Sequence, residues 1–509
     1  MEDSSKKEEM SAHKYLGAHL ALLEAGAMWP LRKLKTPTHN QIGMVGLIIS
    51  VICQILLMIM EQGYLYSSTS DPLEIIAYIG TACLRIEALG KLLYMLFIRK
   101  KVKNLLQSLD TCFKLSIHGE NEGEELDRKE EVFSIMKSWS YGAKIMAVSW
   151  TGLCTFGGTQ WALVPFGING YVTVTLDGDE HLHQGNLTNF TEIGPRTETF
   201  YLRVLPLRGW YPFNETLTPA YETIFLIQGI GNICTAFAVG IFDQFYCAVA
   251  LLLCGQFECL KNSLRNINIK DKSAILYDIS ANLTQLKFER NEKDLIANKN
   301  DEFSIQYSLH DGNIENIKEL IFRLTHKFDD DLENDYEETT REKTLNSEQM
   351  AMEDELKACI KHHQKIVSCA SELNMVYSPM MFMQCQKSLL ALCLVAFQST
   401  MVNGDLLQLF SLVGYVMLLV IQLFLFCWCA SELTERGKSV QDAAYDSGWP
   451  DANFGYKSSL IIMIHNCQVP ILLTGGAFYI LTMELFIELL RLSFSTYTVL
   501  KEMHEGQQD

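Results

Sequence analysis

The sequence lacks the usual signatures of catalysis. No G-x-S-x-G, H-E-x-x-H, P-loop or dinucleotide fingerprint occurs in usable context in its 509 residues. Its 15 cysteines form no C-x-x-C pair and no Cys/His cluster with zinc spacing, so no metal site or disulfide framework is supported and no cofactor is expected. Most sit inside apolar runs, as Cys53, Cys83, Cys154, Cys234, Cys393, Cys427 and Cys429 do, where a free thiol acts as a small hydrophobe. No cleavable signal peptide is evident, because the opening MEDSSKKEEM is acidic and no small-residue cleavage site follows the first apolar run. Basic charge is also short, with a formal net charge of -18. Much of that excess lies in Asp329 to Glu342 (DDDLENDYEETTRE), which reads as a solvated loop, and no nucleic-acid partner is expected.

Apolar residues, by contrast, are abundant and concentrated. They make up 48% of the chain, yet mean hydropathy is only +0.08, so long runs must alternate with polar segments. Seven runs are candidate spans: Ile42–Met60, Pro72–Ile98, Ala143–Phe166, Thr223–Cys254, Met383–Met401, Leu406–Cys429 and Leu460–Leu500. The last is longer than one span requires and is interrupted by Pro470 and Gly475-Gly476. It reads as a cytoplasmic half followed by a membrane half. The expected fold is an all-α integral membrane protein in a lipid bilayer, with seven transmembrane helices.

Loop charge sets the orientation. LRKLK (Leu31 to Lys35) precedes span one and RKKVK (Arg99 to Lys103) follows span two, whereas Glu61 to Asp71 between them holds no Lys or Arg. The N-terminus is therefore expected inside and, after seven crossings, the C-terminus outside. The sequons at Asn186, Asn189 and Asn214 fall in the loop 167–222, an outer loop in this topology, and are expected to be glycosylated, unlike Asn282 in the cytoplasmic loop. This topology is inverted relative to a G-protein-coupled receptor. The loop after span three also lacks a cysteine, and span three does not end in an acidic-Arg-aromatic triplet.

Two motifs near the C-terminus resemble those of the insect odorant receptors, a family of inverted seven-helix, odorant-gated cation channels. A-x-Y-x-x-x-W stands here at Ala443 to Trp449. The second, P-x-x-x-T-G-G-x-F, is carried by Pro470, Thr474, Gly475, Gly476 and Phe478, followed by Phe486 and by SFSTYTVL (Ser493 to Leu500). The family's usual Ser-Tyr-Phe ending is Ser495-Thr496-Tyr497 here, which shifts one aromatic. The resemblance implies a ligand-tuned subunit of a non-selective cation channel, assembled with the shared co-receptor into a heterotetramer and opened directly by a small volatile hydrophobic ligand, with no G protein required. It also implies a multi-pass plasma-membrane location, on olfactory neuron dendrites. A secondary transporter or another seven-helix sensory receptor is the alternative, although the internal repeat typical of a transporter is absent.

The resemblance assigns the outer pore constriction to Val499, with Glu502 on the same helical face to concentrate cations. Without it, Val499 reads as a packing residue and Glu502 as a solvated terminal side chain. For an odorant pocket in the outer half of the bundle, Cys154, Gly157 and Trp161 share one face of helix three, while Tyr78, Gln228 and Phe410 are placed by depth alone. Close helix packing and an interfacial belt account for the same glycine and tryptophan. Arg85, Glu87 and Lys91 are charges within span two. Glu87 and Lys91 are read as an i,i+4 salt bridge in the inner half, with Lys91 snorkelling, and Asp243 and Gln244 are treated likewise where helix four leaves the membrane.

The resulting division is a cytoplasmic N-terminus (1–41), helices one to four (42–256) with the glycosylated outer loop (167–222), and a long cytoplasmic loop (257–386). Helices five and six (387–429), a cytoplasmic anchor segment (430–474), and the pore helix with an extracellular C-terminus (475–509) follow. Within the cytoplasmic loop, Asp271 to Glu348 reads as a polar insertion, partly helical around Ile314 to Leu324.

Overall fold

The computed structural model describes residues 11–26, 37–67, 72–117, 122–168, 170–176, 196–203, 205–207, 209–267, 333–400 and 406–505. The insertion core with Asn282, and the sequons Asn186 and Asn189, lie outside these residues. The helices are α1 (Ala12–Ala25), α2 (Pro37–Ser67), α3 (Pro72–Ser116), α4 (Glu122–Ile168), α5 (Ala220–Arg265), α6 (Glu333–Thr400) and α7 (Leu406–Lys438). After them come α8 (Val440–Tyr445), a 3-10 turn (Trp449–Asp451), α9 (Phe454–Cys467) and α10 (Met483–Glu505). Contrary to the loop expected for Asp329 to Glu342, the chain from Glu333 onward is helical. Its Glu, Arg, Gln and Lys content is compatible with a solvated helix as much as with a loop.

Between α4 and α5 lies the antiparallel ribbon β1 (Gly170–Leu176) and β2 (Arg196–Leu202), paired from Gly170 opposite Leu202 to Leu176 opposite Arg196. Val172, Thr173, Val174 and Thr175 are β-branched, and such side chains favour the pleated strand over the helix.

Four described helices carry a stretch long and apolar enough to cross a bilayer, in α2, α5, α6 and α7. In α3, Arg85, Glu87 and Lys91 interrupt the apolar run. The chain divides into two compact units, one of Met1–Cys259, His363–Lys438 and Pro470–Asp509, the other of Leu260–His362 and Ser439–Val469.

In the first unit α5 is the core helix, with every residue from Ala238 to Phe257 buried. Apart from Asp243, Gln244 and Gln256 its sequence there is apolar on every face, which suits a position enclosed on all sides. By contrast α2 turns Ile48, Ile52, Ile55 and Ile59 outward while burying Gln54, Leu57 and Glu61, the polarity pattern of a lipid-facing helix. α1 docks on the same unit. The Ala12 N–H donates to Asp110 Oδ1 at 2.6 Å, Tyr15 stacks on Phe113 with centroids 5.0 Å apart, and Ser140 Oγ donates to the Tyr15 carbonyl.

The P-x-x-x-T-G-G-x-F motif builds a short hairpin of β3 (Thr474–Gly475) and β4 (Tyr479–Ile480) against α6. The Thr474 N–H donates to Asn374 Oδ1 at 2.7 Å, and the Gly476 N–H to the Ser378 carbonyl at 2.9 Å. Pro379, next to Ser378, has no N–H, so the carbonyl of Met375 one turn earlier loses its helical partner. Each glycine has its own reason: a Cβ on Gly475 would lie 3.3 Å from the backbone of Met381 and Phe382, and Gly476 sits at φ +64°. Phe382 then packs on Phe478 and Tyr479.

In the second unit the A-x-Y-x-x-x-W motif forms a tight corner. Ala443 and Ala444 are fully buried, and Trp449 Nε1 donates to the Tyr445 carbonyl at 3.1 Å while the two rings lie 5.9 Å apart. The Gly448 N–H donates to the Ile267 carbonyl at 3.0 Å, and Lys261 Nζ to Ser439 Oγ at 3.2 Å. Tyr456 Oη reaches Ser447 Oγ, and Asn453 caps α9 by accepting from the Tyr456 N–H.

Candidate functional site

The centre of the first unit is charged. Lys91 Nζ lies 2.5 Å from both Glu87 Oε1 and Asp243 Oδ1, and Lys387 Nζ lies 2.7 Å from Glu87 Oε2. Gln422 Oε1 accepts from Lys387 at 3.0 Å and from Gln384 Nε2 at 2.8 Å, while Gln422 Nε2 donates to Asp243 Oδ2 at 2.6 Å. Helices α3, α5, α6 and α7 thus meet in one network of two cations and two anions, formally neutral, all of them buried. The Glu87–Lys91 pair expected from spacing is present, but Lys91 does not snorkel, being only 1% exposed. Two carboxylates and the ring faces of Phe242 (5.6 Å) and Phe426 (5.9 Å) receive its ammonium, so it has no need to reach water. Asp243 and Gln244 likewise sit in the buried stretch of α5 rather than at a helix exit. Lys387 and Gln422 were not singled out from sequence; the available signal was a lone Lys in the fifth apolar run, since a lone intramembrane charge requires a partner.

A second buried ion pair joins α2 to α3, with Arg85 Nε donating to Glu61 Oε1 at 2.9 Å and Arg85 Nη2 to Asn232 Oδ1 of α5 at 2.9 Å.

The end of the unit at the start of α5 is capped by residues 205–207 and 209–213. Gln228 donates to the Leu207 carbonyl (2.9 Å) and to Tyr211 Oη (2.6 Å), and its Oε1 accepts the Leu207 N–H (3.0 Å). Burial pushes the Tyr211 hydroxyl up to about 12, so it stays protonated. The Trp210 N–H donates to the Met60 carbonyl at 2.8 Å, and the Trp210 side chain lies against Gly63.

The pocket candidates from sequence take different positions. Cys154 is buried against Gly240 of α5, and a Cβ on Gly157 would come within 2.9 Å of Leu418 Cδ1 on α7, so these two face α5 and α7 at close packing distance. Trp161 is half-buried and Tyr78 buried, whereas the amide of Gln228 is committed to Leu207 and Tyr211. Phe410 is 70% exposed, because depth in a helix does not fix which face a residue occupies. Two hollows in this unit lie away from this set. A crevice lined by Met146, Trp150, Gln244, Gln422 and Phe426 beside the charged network is too narrow for water, and a polar cavity of about 420 Å³ is lined by Lys101, Asn104, Ser108 and Glu372.

At the end of α10, Val499 and Glu502 are both exposed in the single chain. Asn214 is exposed and its Oδ1 accepts from the Thr216 N–H (3.0 Å) and hydroxyl (2.7 Å), the two ends of its sequon in contact. No group of three or more His, Cys, Asp or Glu able to hold a metal ion occurs among the described residues.

This arrangement, a helical bundle with four described stretches apolar enough to cross a bilayer and a buried ionic centre, is that of a multi-pass membrane protein. The model of the 7tm Odorant receptor family matches residues 71–494, and the chain belongs to that family of insect odorant receptors. It is similar to the odorant receptor coreceptor of Anopheles gambiae, 26% identical over 344 residues (65% of this chain, 69% of that protein), and to odorant receptor 83a of Drosophila melanogaster, 25% identical (59% of this chain, 61% of that protein). These relatives are receptors, not enzymes. Among solved structures it resembles the insect olfactory receptor OR5 of Machilis hrabei, with a TM-score of 0.62 at 15% identity over 96% of this chain and 97% of that one. The same receptor in complex with eugenol gives a TM-score of 0.63. The fold is the seven-helix, all-α membrane architecture of those receptors.

Proposed function

We propose that the chain is a ligand-tuned odorant receptor subunit of a non-selective cation channel, working in the plasma membrane of olfactory neurons as a heterotetramer with the co-receptor. The observation that carries this reading is the family match from residue 71 to residue 494, which takes in the A-x-Y-x-x-x-W and P-x-x-x-T-G-G-x-F motifs and the first half of α10, ending before Val499 and Glu502. In this reading the N-terminus is cytoplasmic and the domain boundaries are those expected from sequence. A small volatile ligand binds in the outer half of the bundle, with Cys154, Gly157, Trp161 and Tyr78 as walls, Gln228 holding the loop that closes the pocket, and Phe410 at its outer edge. The eugenol complex of the related OR5 supports a small organic ligand.

Opening then has a physical route. Ligand-driven separation of α3, α5 and α7 strains the charged network, Lys387 passes that strain to α6, and the hairpin docked at Ser378–Phe382 passes it to α10, where Val499 forms the constriction and Glu502 draws cations. The exposure of Val499 and Glu502 in a single chain suits residues that face a pore shared between subunits. Carbohydrate on Asn186, Asn189 and Asn214 marks the outer face.

The test is co-expression with the co-receptor and whole-cell recording against a volatile panel. Ligand-evoked cation current that needs both subunits supports the proposal. Substrate uptake without current would instead make the chain a transporter.

A further inference from the structure

Arg85 stands near the middle of the apolar run of α3 and is 3% exposed. A guanidinium presents its N–H donors in a rigid planar fork, and burial in an apolar bundle penalises any donor left unmet. Two arms of the fork are occupied, Nε by Glu61 and Nη2 by Asn232. The third, Nη1, has no acceptor among the described residues, and Glu61 Oε2 has no donor, although Glu61 is also only 3% exposed. An ion pair that is neutral as a whole therefore keeps a donor nitrogen, Nη1 with its two N–H groups, unmet by any described residue inside the bundle.

Neighbouring residues align this donor with two of the pocket residues proposed above. Tyr78 lies two turns before Arg85 on α3, and Gln228 one turn before Asn232 on α5, so each pair shares a helix face. Arg85 thus ends a polar column that begins under the outer loop.

We propose that Arg85 is a specificity-determining residue whose free Nη1 donates to an acceptor oxygen on an uncharged ligand, selecting ketones, aldehydes, esters and alcohols over hydrocarbons of the same shape. This rests on the receptor reading above and deepens it. Glu61 already balances the guanidinium, so a carboxylate ligand would bring an uncompensated charge into the bundle. A hydrocarbon would leave the donor unmet, and a site built around a buried polar group rejects the analogue that lacks the matching atom.

The test uses methyl ketones and n-alkanes of equal chain length, from hexyl to decyl, on the receptor co-expressed with the co-receptor. Wild type should respond to the ketone at concentrations at least about tenfold below those of the matched alkane, after correction for membrane partition. In the charge-neutral double variant E61Q/R85Q that ratio should collapse toward one. A wild type without ketone preference overturns the proposal whether or not the variant folds, as does a double variant that keeps the preference. If wild type gives no current with any ligand, the channel reading has failed, and thermal stabilisation of the purified receptor by the same pairs decides the site separately. Greater stabilisation by ketone, lost in E61Q/R85Q, supports the assignment, and equal stabilisation by ketone and alkane overturns it.

Discussion

Lys91 Nζ bridges Glu87, one turn before it on α3, and Asp243, which lies 152 residues away on α5, at 2.5 Å from each. Removing one member of such a buried set leaves its partners uncompensated, at a cost of about 3–5 kcal/mol. Lys91→Met is expected to lower the melting midpoint of the detergent-solubilised receptor and its surface level. Lys91→Met with Asp243→Asn should cost less than the sum of the two single changes, and a double-mutant cycle of melting midpoints checks it. Strict additivity would mean that the two side chains do not interact.

Gly476 holds φ +64°, and a Cβ there would also lie 3.2 Å from Phe382 Cβ. Gly476→Ala is expected to destabilise the hairpin by about 1–2 kcal/mol. If the hairpin carries motion to α10, the same change should right-shift ligand potency while leaving unitary conductance alone, which single-channel recording separates.

Gln228 uses both ends of its amide to hold Leu207 and Tyr211. Gln228→Leu removes three hydrogen bonds worth roughly 1 kcal/mol each. Amide exchange over residues 205–213 should accelerate in this variant, with no change in α5 itself. Unchanged exchange would mean that the segment is held by other contacts.

His19, on α1, donates from Nδ1 to Gln244 Oε1. Burial holds its pKa below the ordinary 6.5, nearby Lys144 adds to the effect, and the Gln244 bond partly opposes it. The folded state therefore favours neutral histidine. Its stability contribution is fully present above the unfolded value and is lost as pH falls through 6.5 toward the folded value. Melting midpoints taken from about pH 7.5 down to 5.5 should fall more steeply for wild type than for His19→Gln.

Glu502→Lys should reduce calcium permeation and cation conductance. The difference should shrink at high ionic strength, because exposed charges are screened beyond roughly 8 Å at physiological salt. A salt-independent or absent effect would detach Glu502 from the pore.

The limits of the sequence reading follow from what each signal encodes. Apolar runs and the two C-terminal motifs are local, so the membrane class, the family and the break at Pro470 and Gly475-Gly476 were legible, whereas the hairpin built there was not. The Glu87–Lys91 pair was legible because helical spacing makes it local too. Asp243 stands out as a charge in the fourth run, but its partners, with Lys387 and Gln422, were not legible, since nothing local says which distant helix a buried charge will meet. Phe410 shows the converse limit: depth can be counted along a helix, but rotation about its axis is set by neighbours. The strands β1 and β2 escaped notice because a search for apolar runs passes over a Thr-rich ribbon.

The order in which the charged network is synthesised has a consequence for biogenesis. Glu87 and Lys91 cancel as soon as α3 is made, but Asp243 then adds a carboxylate whose balancing ammonium, Lys387, is translated 144 residues later, taking 243 from 387. A nascent receptor halted between those points carries an excess negative charge in its bundle. Chains truncated before α6 should therefore be retained by quality control in the endoplasmic reticulum, while neutralising Asp243 in the same truncation should relieve that retention.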